Sequence, residues 1–295
     1  MSAPAVSQKD TVVANAIREI SHIATLPEVT LKIIKIVEDP KSTAQDLHKV
    51  VSNDPALCSR ILKVVNSSFY GLPGQIGSIN RAIVMLGLNA VKNIAIAASM
   101  SKLFKGGDLT PQFSAKHLWT HSVGVAAAAK MMADTLKIGL SDEAFLAGLM
   151  HDVGVMVEFQ LDRNKLIEVL QKSMPDGNGV PGADMLEVEN EVFGANHQDF
   201  GSALCEKWKF PKALCFVTGY HHRPMELSAD ARTLTCLVNV ADRLAAEATS
   251  GYRLDLPALT YDPAVLEHLH ISTDKLAEIR TKVAEAIKSA PDFAS

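Results

Sequence analysis

Between Leu31 and Lys288 the apolar residues recur at helical spacing, in runs closed by caps and breakers. No stretch keeps the apolar–polar alternation of a half-buried strand for long enough to build a sheet. A chain written this way can bury its apolar stripes only by packing helix against helix. Its 295 residues suffice for one large or two medium domains with a real core. Aromatic residues make up only 5%, so that core must be built from Ala, Val, Leu, Ile and Met, and an abundance of Ala and Leu favours helices. The expected fold class is all-α, and no internal repeat points to a solenoid.

The punctuation sets the expected elements. A leading helix spans about 10–22. Pro27 opens and Pro40 closes a helix with Leu31, Ile33, Ile34 and Val37 on one stripe. Ser42 or Thr43 caps the next, and Asp54-Pro55 gives an N-cap carboxylate followed by a first-turn proline, ahead of Ile61, Leu62, Val64 and Val65. That helix runs into Asn66-Ser67-Ser68 and a glycine-containing loop from Gly71 to Gly77. Ser78 caps a helix carrying Ile79, Ile83, Val84 and Leu86, and Asn89 starts another to about 104. The polar Gly/Pro segment 105–113 is the best internal boundary. Helices are then expected at about 114–136, 142–153, 162–173, 183–193, 197–208, 211–222, 228–247, 263–269 and 272–288. Caps are expected at Ser141, at Asn196 with Asp199 three residues on, at Ser228, and at Ser272 or Thr273, and Gly154 is expected to break the helix before it.

Charge and cysteine usage narrow the function. The formal net charge is −4 and no basic block stands out, so nucleic acid is not an expected partner. Cys58, Cys205, Cys215 and Cys236 form no CxxC pair and read as reduced, mostly buried thiols. The start MSAPAVSQKD lacks the pattern of a signal peptide, and the apolar stretch Leu86–Phe104 is interrupted by Asn89, Lys92 and Asn93, so a cytoplasmic protein that does not cross a membrane is expected.

The histidines carry the chemistry. His22, His48, His268 and His270 lie in polar surroundings and read as surface residues; the other six fall between 117 and 222, in or beside apolar helices. His117 and His121 share a helix face that continues through Gly124 and Ala128, where small residues admit a close neighbour. His151-Asp152 ends the apolar run AFLAGLM, and a carboxylate there needs a partner. His197 opens a helix after Asn196, His221-His222 closes the run PKALCFVTGY, and Asp242 interrupts LTCLVNVADRLA. Singly, each has a plainer reading: an exposed polar face for His117 and His121, local hydrogen bonds at a helix end for His151-Asp152, a first-turn surface residue for His197, the helix dipole for His221-His222, and a surface ion pair for Asp242. As an ordered series they also admit metal.

The series HSVGVA, AFLAGLMHDVG, HQDFG, HH and VADRLA resembles the HD superfamily of metal-dependent phosphohydrolases. It is closest in spacing to the HD-GYP branch, whose members hydrolyse cyclic dinucleotides. The first half, LPEVTLKIIKIVEDPKSTAQDLHKVVSNDPALCSRILKVVNSSFYG followed by INRAIVMLG, resembles the HDOD family of bacterial signalling proteins. Together the resemblances cover roughly residues 20–245. They imply an N-terminal helical HDOD subdomain, residues 1–112, packed with an HD-like helical metal-binding subdomain, residues 113–295. They further imply that Asp152 bridges two ions and is the catalytic carboxylate of any active enzyme. His121, His151 and Asp242 would complete one ion's ligands, and His197, His221 and His222 the other's. His117 matches a position that carries an extra ligand in some HD-GYP proteins. The implied cofactor is a dinuclear transition-metal centre, iron or manganese first and zinc or nickel next, since imidazole and carboxylate suit these ions better than magnesium or calcium.

Three departures temper the enzymatic reading. The lysine that usually follows HDxG in HD-GYP proteins is Val155 here. The chain reads HHRPMELSADA where they carry Glu and a Gly-Tyr-Pro loop. Most HDOD proteins, moreover, have lost several ligands and act as regulators. Arg223, beside the histidine pair, is the candidate to hold a phosphate in place of the missing lysine. The expected role is a metal-containing signal-transduction protein acting through signalling proteins or a phosphorylated small ligand. The alternatives are a phosphohydrolase acting on a nucleotide or cyclic nucleotide, or a helical protein whose histidines satisfy one another by hydrogen bonds. Monomer and dimer both fit.

Overall fold

The computed structural model describes residues 7–20, 28–39, 41–67, 69–101, 103–104, 106–111, 113–174, 180–248 and 253–290. The expected helix signals at Pro27, Pro40 and Ser68, the end of the leading helix at 21–22, and His22 lie outside the described residues.

The fold is all-α, as expected. In chain order the helices of the first half are α1 (Gln8–Glu19), α2 (Glu28–Glu38), α3 (Ala44–Val51), α4 (Pro55–Val65), α5 (Ile79–Leu86) and α6 (Leu88–Met100). Two short antiparallel strands, β1 (Asp108–Thr110) and β2 (Phe113–Ser114), occupy the expected boundary segment. The second half continues with α7 (Ala115–Leu136), α8 (Ser141–Met150), α9 (Val153–Leu161), α10 (Arg163–Lys172), α11 (Met185–Phe193), α12 (His197–Lys207), α13 (Lys212–Tyr220), a 3-10 turn at Pro224–Glu226, α14 (Thr233–Glu247), α15 (Pro263–His268) and α16 (Thr273–Lys288).

Most predicted caps are made. Thr43 with Asp46, and Asn196 with Asp199, form reciprocal capping boxes. Asp54, Ser78 and Ser272 each accept a first-turn amide, and Pro55 takes the first helical position after Asp54. Four expectations fail. Ser141 does not cap α8; its hydroxyl bonds Asp134 instead. Ser228 lies in a turn and α14 starts later, after Arg232. α6 starts at Leu88 behind Gly87, whose φ of 89° allows a sharp turn directly out of α5. Gly154 ends nothing: it lies in the first turn of α9, a helix over Val153–Leu161 that is not among those expected. Two stripe residues also face outward, Leu31 at 36% exposure and Val84 at 73%. Cys58 is half-buried and the other three cysteines are buried, all as free thiols.

α7 is the spine of the second half and packs against α8, α14 and α16. Its run Ala126–Ala129 is fully buried, and small residues there let neighbours approach closely. A Cβ at Gly148 of α8 would stand 2.9 Å from the backbone of Ala126, so these helices touch backbone to backbone. α9 is apolar apart from Glu158 and Gln160, has no polar stripe, and is correspondingly buried, packed on α12. The stretch Ser141–Leu161, α8 and α9 together, is long and apolar enough to cross a membrane by composition, but 89% of its most apolar window is buried inside the fold, which makes it core.

In the first half α6 packs on α2, α4 and α5 and also reaches α8, so one hydrophobic core runs through both halves. Lys92 of α6 is buried, and its ammonium donates to the Ile36 carbonyl (2.9 Å) and the Ser42 hydroxyl (2.6 Å), tying α6 to the end of α2 and the start of α3. The leading helix α1 lies on α9 and α12. There Lys9 pairs with Asp199 (2.6 Å) and Lys207 donates to the Ile17 carbonyl (2.8 Å).

Candidate metal centre

The helix ends decide where the histidines meet. α8 ends into His151-Asp152, α13 ends into His221-His222, α12 begins at His197, and α7 and α14 supply His121 and Asp242 from their interiors. His121, His151, Asp152, His197, His221 and Asp242 are all completely buried, and the His222 side chain is 7% exposed. Two clusters result. In one, ligand atoms of His121, His151 and Asp242 lie within 4.8 Å of one another; in the other, so do those of Asp152, His197, His221, His222 and Asp255.

Asp152 stands between them. Its Oδ2 is 3.2 Å from His151 Nε2, while its Oδ1 is 3.3 Å from His221 Nε2 and 3.8 Å from His197 Nε2. On the first side His121 Nε2 lies 2.9 Å from Asp242 Oδ1, and His151 Nε2 lies 3.9 Å from the same oxygen. On the second, His197 Nε2 is 3.4 Å from His221 Nε2 and 3.2 Å from His222 Nε2, and His222 Nε2 is 3.3 Å from Asp255 Oδ2.

The imidazoles are oriented from behind. His151 Nδ1 donates to the Gly148 carbonyl (2.8 Å) and His221 Nδ1 to the Val217 carbonyl (3.1 Å). His197 Nδ1 donates to Glu189, which lies 2.9 Å away and also accepts the His197 backbone N–H at 3.0 Å. An acceptor behind Nδ1 fixes the proton there, so Nε2 turns inward as a lone pair. Lone pairs of His197 and His221 aimed at one another, 3.4 Å apart, repel unless a cation or proton lies between them. Ligands about 2.1 Å from an ion at tetrahedral to octahedral angles stand about 3.0–3.4 Å apart, which matches the 3.2–3.4 Å separations of these nitrogens and of Asp152 Oδ1 from His221. His151 Nε2, both oxygens of Asp152 and of Asp255, and Asp242 Oδ2 make no hydrogen bond although buried. Buried polar atoms are rarely left so, and a cluster of them facing one centre fits a cation.

In the bare protein protons must supply that positive charge. Burial opposes charging His197, but Glu189 and then Asp152 push it up to about 10. Burial likewise opposes charging His151, and Asp152 overrides it, raising it to about 9. His121 is raised against its burial by Asp242. Burial, then the adjacent imidazole (His222 for His221, His197 for His222), lowers His221 and His222 to about 3. Asp152 and Asp242 are held low against their burial by the imidazoles around them. Burial, then Asp152 and Asp242, raise Asp255 to about 7. Glu158 on α9 faces Glu189, and burial, then that neighbouring charge, raises it well above the usual carboxylate range.

Seven of the sequence candidates therefore converge: His121, His151, Asp152, His197, His221, His222 and Asp242. His117 does not join them. It shares a face with His121 in projection, but it lies in the first, exposed turn of α7 beside β1, outside both clusters. Arg223 is exposed, stacked near the Tyr220 ring and 3.7 Å from Glu226, next to His222 but not in the clusters. Asp255 and Glu189 were not foreseen. Asp255 sits between the buried Leu254 and Leu256 in a connection outside any helix, and a carboxylate in an apolar triplet was its signal. Glu189 sits on the buried side of α11 and resembled an ordinary helix-surface glutamate. Among the other histidines, His48 and His268 are half-buried and His270 is exposed.

The sequence profile of the HDOD domain family matches residues 23–224. An uncharacterized protein of Treponema pallidum (strain Nichols) is 24% identical over 217 residues, which are 73% of this chain; this chain spans 40% of that relative's length. Among solved structures, an HDOD domain protein of unknown function from Geobacter sulfurreducens is similar with a TM-score of 0.70 at 24% identity, covering 94% of this chain and 97% of its own. A protein of Shewanella amazonensis SB2B, provisionally named a phosphohydrolase, gives 0.74 at 20% identity over 96% and 98%. A provisional signal transduction protein of Marinobacter aquaeolei VT8 gives 0.73 at 20% identity over 97% and 65%. At these identities the likeness establishes the fold.

Proposed function

Because this chain belongs to the HDOD domain family, we propose that it is a cytoplasmic signal-transduction regulator built around a two-ion transition-metal centre. It would act through contacts with signalling proteins or a phosphorylated small ligand, without engaging nucleic acid or a membrane. The observation that carries the reading is Asp152, whose two oxygens face the two clusters separately. His121, His151 and Asp242 would hold one ion; His197, His221, His222 and Asp255 the other. The nitrogen-rich set favours manganese or iron, with zinc or nickel next. Burial supports a regulatory role: apart from the 7% exposed edge of His222, the ligand side chains have almost no access to solvent.

A second reading, a phosphohydrolase, is favoured by one feature. A recess of about 380 Å³ lies over the His222 edge, and Arg223 and Arg243 are on its wall together with Glu226 and Asp262. Two guanidinium groups beside the one exposed ligand suit a phosphate. A two-ion centre, when bound, supplies an activated water and charge stabilisation for phosphoryl chemistry. Val155 is fully buried and offers no cation, so Arg223 would have to position the phosphate.

Elemental analysis of protein purified without a nickel column tests the common basis. Two ions per chain are expected, falling to one or none in Asp152→Asn; wild-type protein with no stoichiometric metal would end both readings. A panel of cyclic nucleotides, nucleoside monophosphates and a generic phosphodiester, with manganese or iron added, separates them. Turnover lost in Asp152→Ala establishes the enzyme, and a metal-loaded protein without turnover supports the regulator.

A further inference from the structure

A second cavity, of about 260 Å³, lies where the two halves of the chain meet, away from the metal centre. Ile34 of α2 and Ile96 of α6 face Leu146, Phe210, Leu214 and Leu234 across it, so its walls are mainly apolar. The polar groups on it are unusual. The Asn93 residue is 93% buried, its side chain borders the cavity, and it makes no hydrogen bond among the described residues. The amide atoms of Asn93 are not among the fully buried atoms that lack a partner, so they stay open to the cavity, where a ligand group can pair with them.

The helix starts point the same way. Asn89, Glu143, Ala213 and Leu234 lie in the first turns of α6, α8, α13 and α14, and all four border the cavity. None of these four helices has a side-chain N-cap bond. Four first turns without a side-chain cap bring the positive ends of four helix dipoles to one place. The Lys92 ammonium lies beside them, engaged with Ile36 and Ser42, and the acid on the wall, Glu143, is exposed. The wall is thus mainly apolar, with the Asn93 amide and the positive ends of the helices as its polar features.

We propose that this cavity between α6 and the starts of α8, α13 and α14 binds a small, mainly apolar molecule whose polar end is a carbonyl-type oxygen, as carboxylate or amide, that accepts from the Asn93 side-chain amide. The helices that border it also carry ligands of the metal centre. Leu146 precedes His151 by five residues, Leu214 precedes His221 by seven, and Leu234 precedes Asp242 by eight, or about 7–12 Å along each axis. Occupancy at the helix starts is therefore felt at the ligands further along; this second part rests on the metal reading above.

Calorimetric titration of the metal-free full chain with octanoate, octanamide and octylamine tests the binding claim. Octanoate or octanamide is expected to saturate with a Kd of about 1 mM or below, reasonable for ten heavy atoms, and octylamine to bind at least about tenfold more weakly. The better of the two carbonyl probes identifies the head group. Asn93→Leu should weaken binding about tenfold. Ala213→Trp, at an exposed position on the cavity wall, should abolish it without disturbing the fold. No saturation by either carbonyl probe at 10-fold higher concentration, equal binding of octylamine, or unchanged binding by both variants would overturn the assignment. Manganese titrations with and without octanoate then read the coupling. A change in manganese affinity of about threefold or more supports it, and an unchanged affinity in protein that binds both overturns that part alone.

Discussion

Gly154→Ala tests the link between packing and site most sharply. Gly154 is two residues beyond Asp152, in the turn where α9 lies on the first turn of α12. A methyl group there would stand 1.8 Å from the His197 carbonyl oxygen, 2.7 Å from its carbon and 2.9 Å from the Gly201 nitrogen. All three are backbone atoms, so no side chain can swing away. Ordinary contact begins at 3.4 Å, so the two helices must part by roughly 1.6 Å or rotate by an equivalent amount. Overpacking of a tight core typically costs 1–3 kcal/mol, and a clash with rigid backbone belongs at the upper end, about 3 kcal/mol. At about 2–4 °C per kcal/mol this is a drop in Tm on the order of 6–12 °C. The same movement separates Asp152 from His197, whose ligand atoms are 3.8 Å apart, while metal distances tolerate only about 0.2 Å. Calorimetric melting with and without manganese, together with metal analysis, checks both effects: a lower Tm, and loss of the manganese-dependent increment. Gly77→Ala, where a Cβ meets nothing within 4 Å, is the control. A Gly154→Ala protein that melts like wild type and keeps its full metal content would refute the backbone contact and its coupling to the centre.

Three further outcomes follow from the geometry. Glu189→Gln leaves His197 a weaker acceptor and should reduce metal affinity about 10–100-fold, as measured by competition with a chelator. Metal affinity should rise with pH from 6 to 8: His151 and His197, at about 9 and about 10, are protonated in the metal-free protein at these pH values and must release those protons to become ligands. Titrations in buffers of differing ionisation enthalpy would show the release, and a pH-independent affinity would contradict the assignment of these rings as ligands. Lys92→Met should lower urea stability by about 2 kcal/mol, because it removes two charge-assisted hydrogen bonds and strands the Ile36 carbonyl; an unchanged midpoint would show that the buried ammonium contributes no net stability.

The all-α class was legible because helix periodicity and capping are local. Thr43, Asp54, Ser78 and Asn196 cap their helices through hydrogen bonds spanning two or three residues, and the residue types declare this in the sequence. The misreadings arose where tertiary contact overrode local preference. Gly154 in isolation suggests a break, because glycine disfavours helix interiors. In the fold it is the residue that lets two backbones touch, and α9 survives on burial rather than on propensity. Val84 fits the apolar stripe of α5 but faces outward, since the period marks a face and not how far that face is covered.

The convergence of ligands was legible for a different reason. His151-Asp152, His221-His222 and Asp242 each lie at the end of an apolar run or inside one, where a polar side chain is expensive unless it is satisfied, and chain order supplied the rest. His117 failed the same reasoning because four residues along a helix share a face but not a depth: His121 is at the buried centre of α7, and His117 is at its exposed start. Asp255 and Glu189 escaped because neither interrupts a helical apolar run of the kind that drew attention to the others. Yet both are buried carboxylates at the centre, one beside the His222 nitrogen and one behind His197. The cost of burying them is offset only by what they face. A reading that asks of every acid what would neutralise it, in loops as well as helices, would have included Asp255 from its two leucine neighbours. It would still have missed Glu189, whose partner is set by the way α11 turns through Gly194 into α12.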